Sequence, residues 1–111
     1  MPTKWIDSTG VEIDTRSAGI TANGTYYLDK LGSDNLDPTR PFIFWARVAS
    51  AGHTATIQLF AEVAGAKMNL GSALVPTNGT PVIAPDEYTL TGKRGIVVTG
   101  ITGTVYPEVG Q

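Results

Sequence analysis

Residues 40–65 read RPFIFWARVASAGHTATIQLFAEVAG, and the parity of their apolar residues decides the fold class. A strand sends successive side chains to opposite faces, so residues two apart share one. Phe42, Phe44, Ala46 and Val48 fall on one face of a first segment. Ala55, Ile57, Leu59, Ala61 and Val63 fall on one face of a second, with Thr54, Thr56, Gln58 and Glu62 in the gaps. This is strand alternation rather than helical spacing. A loop of Ser50, Ala51, Gly52 and His53 predicts a hairpin with Val48 opposite Ala55, Ala46 opposite Ile57, Phe44 opposite Leu59 and Phe42 opposite Ala61. That register buries both apolar sets together, and the shared face is the expected core.

His53 is the only histidine and the chain has no cysteine, so an imidazole in this turn has no partner for metal or nucleophilic work. It reads as an exposed turn residue. Ser8, Ser17, Ser33, Ser50 and Ser72 lie in polar or Gly-containing segments, none of them a Gly-x-Ser-x-Gly setting. Neither an enzyme nor a cofactor is expected.

Outward from the hairpin, residues 1–24 are polar and weakly patterned, with Trp5, Ile6, Val11, Ile13 and Ile20 as isolated apolar anchors. They predict an extended amino-terminal arm with one short strand near residues 11–14, packed on a neighbour rather than on the domain's own core. Residues 25–111 read as a single β domain. NGTYYLDKL is a strand launched from an Asn-Gly turn, GSDNLDPTRP a connecting loop, and KMNL a strand returning along the one before it. ALVPTNGTPVIAP, with three prolines, suits an edge, and the last third reads as Gly-separated β segments. Seven or eight short strands with Gly and Pro punctuation predict an all-β chain, a small antiparallel β-sandwich or barrel.

Composition bounds the partners. Charged residues are 16% of the 111 and the formal net charge is -2, so no basic patch marks a nucleic-acid partner. The longest apolar run, FIFWA, spans five residues, far short of a membrane span or a signal segment. Without cysteine, assembly rests on non-covalent contacts, and synthesis in the host cytoplasm is expected. Asn23 and Asn78 each precede Gly-Thr and read as turn formers rather than glycosylation sites. Asp29, Asp34, Asn35 and Asp37 crowd one loop, but their spacing departs from the twelve-residue calcium loop, so solvated carboxylates are expected. The alternative is calcium bound through Asp34 and Asp37.

The outer face of the expected hairpin is the informative oddity. There Ile43 would stand opposite Phe60, Trp45 opposite Gln58 and Arg47 opposite Thr56, mixing large apolar groups with polar ones. Such a face is covered by the same chain or by a partner, and aromatics and Arg are enriched at interfaces. Ile43, Trp45, Arg47 and Phe60 are therefore the candidate interface residues, joined by Trp5 and Ile6 of the arm.

From Thr54 onward, TATIQLFAEV, AKMNLGS, PDEYTLT and RGIVVTGITGTVYPEV follow one another in an order that resembles small bacteriophage virion proteins. The resemblance lies in strands and turns and covers roughly the last half of the chain. It implies a β-sandwich that decorates a capsid or joins head and tail parts, bound in the virion to the major capsid protein or other virion proteins. It also implies a homo-oligomer, with a trimer as the expected form, and no catalytic residues. The competing reading is a carbohydrate-binding β-sandwich module, since Trp5, Tyr26, Tyr27, Trp45, Tyr88 and Tyr106 supply aromatics for a sugar platform. Tyr26 and Tyr27 are adjacent, however, and point opposite ways in a strand.

Overall fold

The computed structural model describes residues 3–30, 36–90 and 92–111. Among them, nine strands and no helix are found: β1 (Lys4–Asp7), β2 (Glu12–Asp14), β3 (Gly24–Leu28), β4 (Phe42–Val48), β5 (Thr54–Val63), β6 (Ala66–Asn69), β7 (Val82–Tyr88), β8 (Lys93–Thr102) and β9 (Val105–Gly110). They form a six-stranded sheet of order β2-β1-β3-β8-β5-β6 and a three-stranded sheet of order β7-β4-β9. Every pairing is antiparallel. The expected all-β sandwich is present.

The alternation of residues 42–61 identified the core correctly, whereas Val63, expected on the same face, is 55% exposed at the end of β5 beside the tight turn. Phe42, Phe44, Ala46, Val48, Ala55, Ile57, Leu59 and Ala61 are all buried. Their mutual arrangement differs from expectation, because β4 and β5 are not a hairpin but members of opposite sheets. Side-chain parity says which residues face the core; it does not distinguish lateral pairing from facing across a sandwich, since both bury the same set. The lateral partners of β5 are β8 and β6, and those of β4 are β9 and β7.

What turns the would-be hairpin into a crossing is a second crossing beside it. β8 also passes into β9, in the other sheet, through Gly103 at φ 77°. The two connections are stitched together: Ala49 N donates to Thr104 O at 3.0 Å, Thr104 N to His53 Nδ1 at 3.2 Å, and Thr54 N to Thr102 Oγ1 at 3.1 Å. A Cβ on Gly103 would collide with the imidazole of His53, so only glycine fits there. His53 is thus half-buried structure at the turn rather than an exposed tip.

The expected arm is also corrected. Residues 3–24 supply β1 and β2, the edge of the large sheet, and Trp5 is 0% exposed in the core. Its ring meets Phe44 edge-on at 6.5 Å, and its indole N–H donates to Pro107 O at 2.9 Å, tying the large sheet to the small one. Thr3, equally buried, accepts from Val109 N at its hydroxyl (2.8 Å). Ile20 exchanges backbone bonds with Val105, and Tyr26 donates to Ala22 O at 2.6 Å. Single anchors of this kind carry no period, yet a fully buried Trp removes more apolar area from water than several small strand residues.

Other readings hold. β6 returns along β5 through Ala64 and Gly65, both at positive φ (52° and 80°), the pair that a tight hairpin turn requires. The proline-rich segment ends in β7, an edge strand, where Ala84, Pro85 and Asp86 bulge opposite Phe44 alone. Proline is tolerated there because an edge bulge leaves its missing N–H without consequence.

Candidate contact surface

Each sheet has an outer face, and the predicted interface residues divide between them. On the three-stranded sheet, registers put Ile43 between Glu87 and Gly110, Trp45 between Ile83 and Glu108, and Arg47 beside Tyr106. Ile83 is 63% exposed and Ile43 39%, with Trp45 half-buried. The Trp45 ring lies over Gly110, where an added Cβ would come within 2.6 Å of it. The Arg47 guanidinium stacks 4.3 Å from the Tyr106 ring centroid and enters no ion pair among the described residues; nor does Glu108. Ile43, Trp45 and Arg47 therefore share one surface, as expected.

Phe60 does not join them. It lies on the outer face of the six-stranded sheet, directly opposite Gly95, and is 0% exposed. Tyr27 meets it edge-on at 5.6 Å and the Lys67 ammonium sits 5.4 Å from its centroid. Lys93 lies 5.3 Å over Tyr27 and 3.6 Å from Glu62, whose other oxygen accepts from the Tyr27 hydroxyl at 3.2 Å. Burial, then the charge of Glu62, raises the Tyr27 pKa above the ordinary tyrosine value. The misplacement of Phe60 follows directly from the hairpin that does not exist. Trp5, the arm's main candidate, is core, and Ile6 is half-buried beside Tyr27.

Ile6 and Tyr27 floor a groove of about 460 Å³ whose rim carries Lys30, Lys93 and Arg94. Its cations are largely tied down. Lys30 Nζ donates to Leu90 O and Gly92 O, each at 2.9 Å, and Arg94 Nε to Thr89 O at 2.9 Å. Burial lowers the Arg94 pKa below the usual guanidinium value.

The other candidates resolve locally. Asp37 caps its own turn, accepting from Thr39 N at 2.9 Å and Thr39 Oγ1 at 2.6 Å, and the hydroxyl bond is the main cause that lowers its pKa. Asp34 and Asn35 lie outside the described residues. Asn78 Oδ1 accepts from Thr80 N at 2.8 Å, a turn role, and Asn23 Oδ1 accepts from Ile101 N at 2.9 Å. Among the described residues, no three His, Asp or Glu are grouped to hold a metal, and no helix is long and apolar enough to cross a membrane.

Sequence reasoning missed Ile83, Tyr106 and Glu108, because which strands flank β4 depends on long-range pairing. The alternation of VYPEVG, with Tyr106 and Glu108 between buried Val105, Pro107 and Val109, was the available signal. The six aromatics of the sugar-platform reading are dispersed. Trp5 and Tyr26 are in the core, Tyr88 packs against it beside Phe42, Tyr27 is on the outer face of the large sheet, and only Trp45 and Tyr106 share an outer face, the latter covered by Arg47. No family model, curated protein or solved structure matches this chain.

Proposed function

We propose that this chain is a non-catalytic structural subunit of a bacteriophage particle, attached to the capsid shell or to neighbouring virion subunits. Its contact surface is the outer face of the three-stranded sheet. The observation that supports this is the exposed cluster of Ile43, Trp45 and Ile83 beside an arginine without an ion pair among the described residues. Interfaces draw their energy from a few aromatic and Arg anchors of this kind. The virion assignment rests on the resemblance of the strand and turn order in the second half to small phage virion proteins.

Particles lacking the protein supply the test. Wild type and the Trp45→Ala and Ile83→Asp variants are added back, and bound protein is measured alongside thermal melting. Trp45→Ala is expected to weaken attachment by about 1–2 kcal/mol with folding retained. Undiminished attachment of both variants would move the contact elsewhere on the molecule.

A further inference from the structure

We infer that the outer face of the three-stranded sheet takes a second copy of this chain, across a two-fold axis lying in the plane of the face. This inference rests on the reading of that face as a contact surface and names its occupant: the neighbouring virion subunit is a second copy, and Trp45→Ala loosens particle attachment by loosening the dimer. Residues on one face of a strand step about 7 Å apart and adjacent strands lie about 4.8 Å apart. On that grid Ile83, Trp45 and Tyr106 form a diagonal apolar ridge across β7, β4 and β9. Arg47 stands on one flank of the ridge and Glu108 on the other, one strand and one step apart.

An axis along that ridge bisects the line from Arg47 to Glu108. For Arg47 of each copy to reach Glu108 of the other, its guanidinium leaves the Tyr106 ring that it covers within its own subunit; Ile83, Trp45 and the uncovered Tyr106 then each meet their own counterpart. The two sheets then cross at roughly 70°, nearer to orthogonal than to aligned sheet packing. Neither charge has an ion pair within its own subunit among the described residues, so the intersubunit pairing displaces none. Opposite signs on the two flanks of an apolar ridge are the pattern that an isologous contact needs, since one patch must complement itself. A partner of a single charge sign would meet repulsion on one flank.

The test is a reciprocal charge swap read by mass in solution against concentration. Wild type is expected to dimerise, and Arg47→Glu and Glu108→Arg each to weaken the dimer at least about tenfold. An equimolar mixture of the two variants should regain a heterodimer of near wild-type affinity, because every facing pair is again opposite in sign. Matching circular dichroism melts show that each variant is folded, and the mixture is immune to any general loss of stability. A wild-type monomer, a trimer, or a mixture no tighter than its separate components would overturn the inference. Particle attachment is measured separately: a wild-type monomer that attaches defeats this inference alone, whereas a wild-type dimer that does not attach defeats the virion reading alone.

Discussion

Both outer faces use the same device, an aromatic ring resting on a glycine of a neighbouring strand, and they finish it differently. On the large sheet Phe60 covers Gly95 and is itself covered, by Tyr27 at its edge and Lys67 over its face. Two of the cations there are spent on aromatic rings, and Glu62 is engaged by both Lys93 and Tyr27. On the small sheet Trp45 covers Gly110 and nothing among the described residues completes the layer, leaving Ile43 and Ile83 exposed. A ring buried by its own chain contributes to folding, whereas a ring left half-covered has that area still to bury on a partner.

The largest expected effect tests that distinction. Phe60→Ala should cost about 3–5 kcal/mol of folding stability in urea titrations, as buried Phe truncations do. Trp45→Ala, half-exposed at the start, should cost no more than about 1–2 kcal/mol. Equal losses would abolish the contrast between the faces.

The glycines sharpen it. An added methyl at Gly95 meets the Phe60 ring and the Tyr26 carbonyl oxygen, each at 2.6 Å, and the backbone oxygen cannot swing aside. Gly95→Ala should therefore lose about 1–3 kcal/mol. At Gly110 the three nearest atoms all belong to the half-buried Trp45 side chain and none to backbone, so Gly110→Ala should cost less than Gly95→Ala in the same titration.

A third expectation concerns pH. The Tyr27 pKa in the folded chain is raised, so as pH rises past the ordinary tyrosine value of about 10 the unfolded chain ionises first. The stabilisation is complete below that value and is lost as pH climbs through the higher folded pKa. Tyr26 and Tyr88 are raised in the same direction, both mainly by burial. Tyr27→Phe should therefore flatten part of the alkaline decline in urea midpoints between pH 9 and 11 without abolishing it. An unchanged slope would show that the Tyr27 hydroxyl is not held by its neighbours.

The smallest effect is expected from Glu62→Gln. In its ion pair with Lys93 the lysine side chain is 71% exposed, which screens the charge, while the Glu62 side chain is 18% exposed. Loss should stay within about 1 kcal/mol, and a larger value would mean that charge, rather than ring packing, closes this face.

The legible part of the fold was what local alternation encodes. Residues 42–48 and 54–61 revealed their inward sides, Ala64–Gly65 revealed a tight turn, and the prolines around β7 marked an edge. Sheet membership was not legible, because it is decided by partners such as Thr104 and Pro107 about fifty to a hundred residues away from the groups they bind. One wrong lateral pairing then misplaced Phe60, while Ile43, Trp45 and Arg47 survived because they lie along a single strand. Trp5 escaped for another reason: an isolated anchor in a four-residue strand has no apolar neighbours two positions away with which to form a pattern.

The bond from the Trp5 indole to Pro107 O spans 102 residues, and that from Val109 N to the Thr3 hydroxyl spans 106. During synthesis β1 must therefore wait, its tryptophan exposed, until the closing strand leaves the ribosome. A β topology dominated by such distant pairings folds in milliseconds to seconds rather than microseconds. Throughout that interval the ring later sealed in the core is open to chaperones, to proteases and to other nascent copies of the same chain.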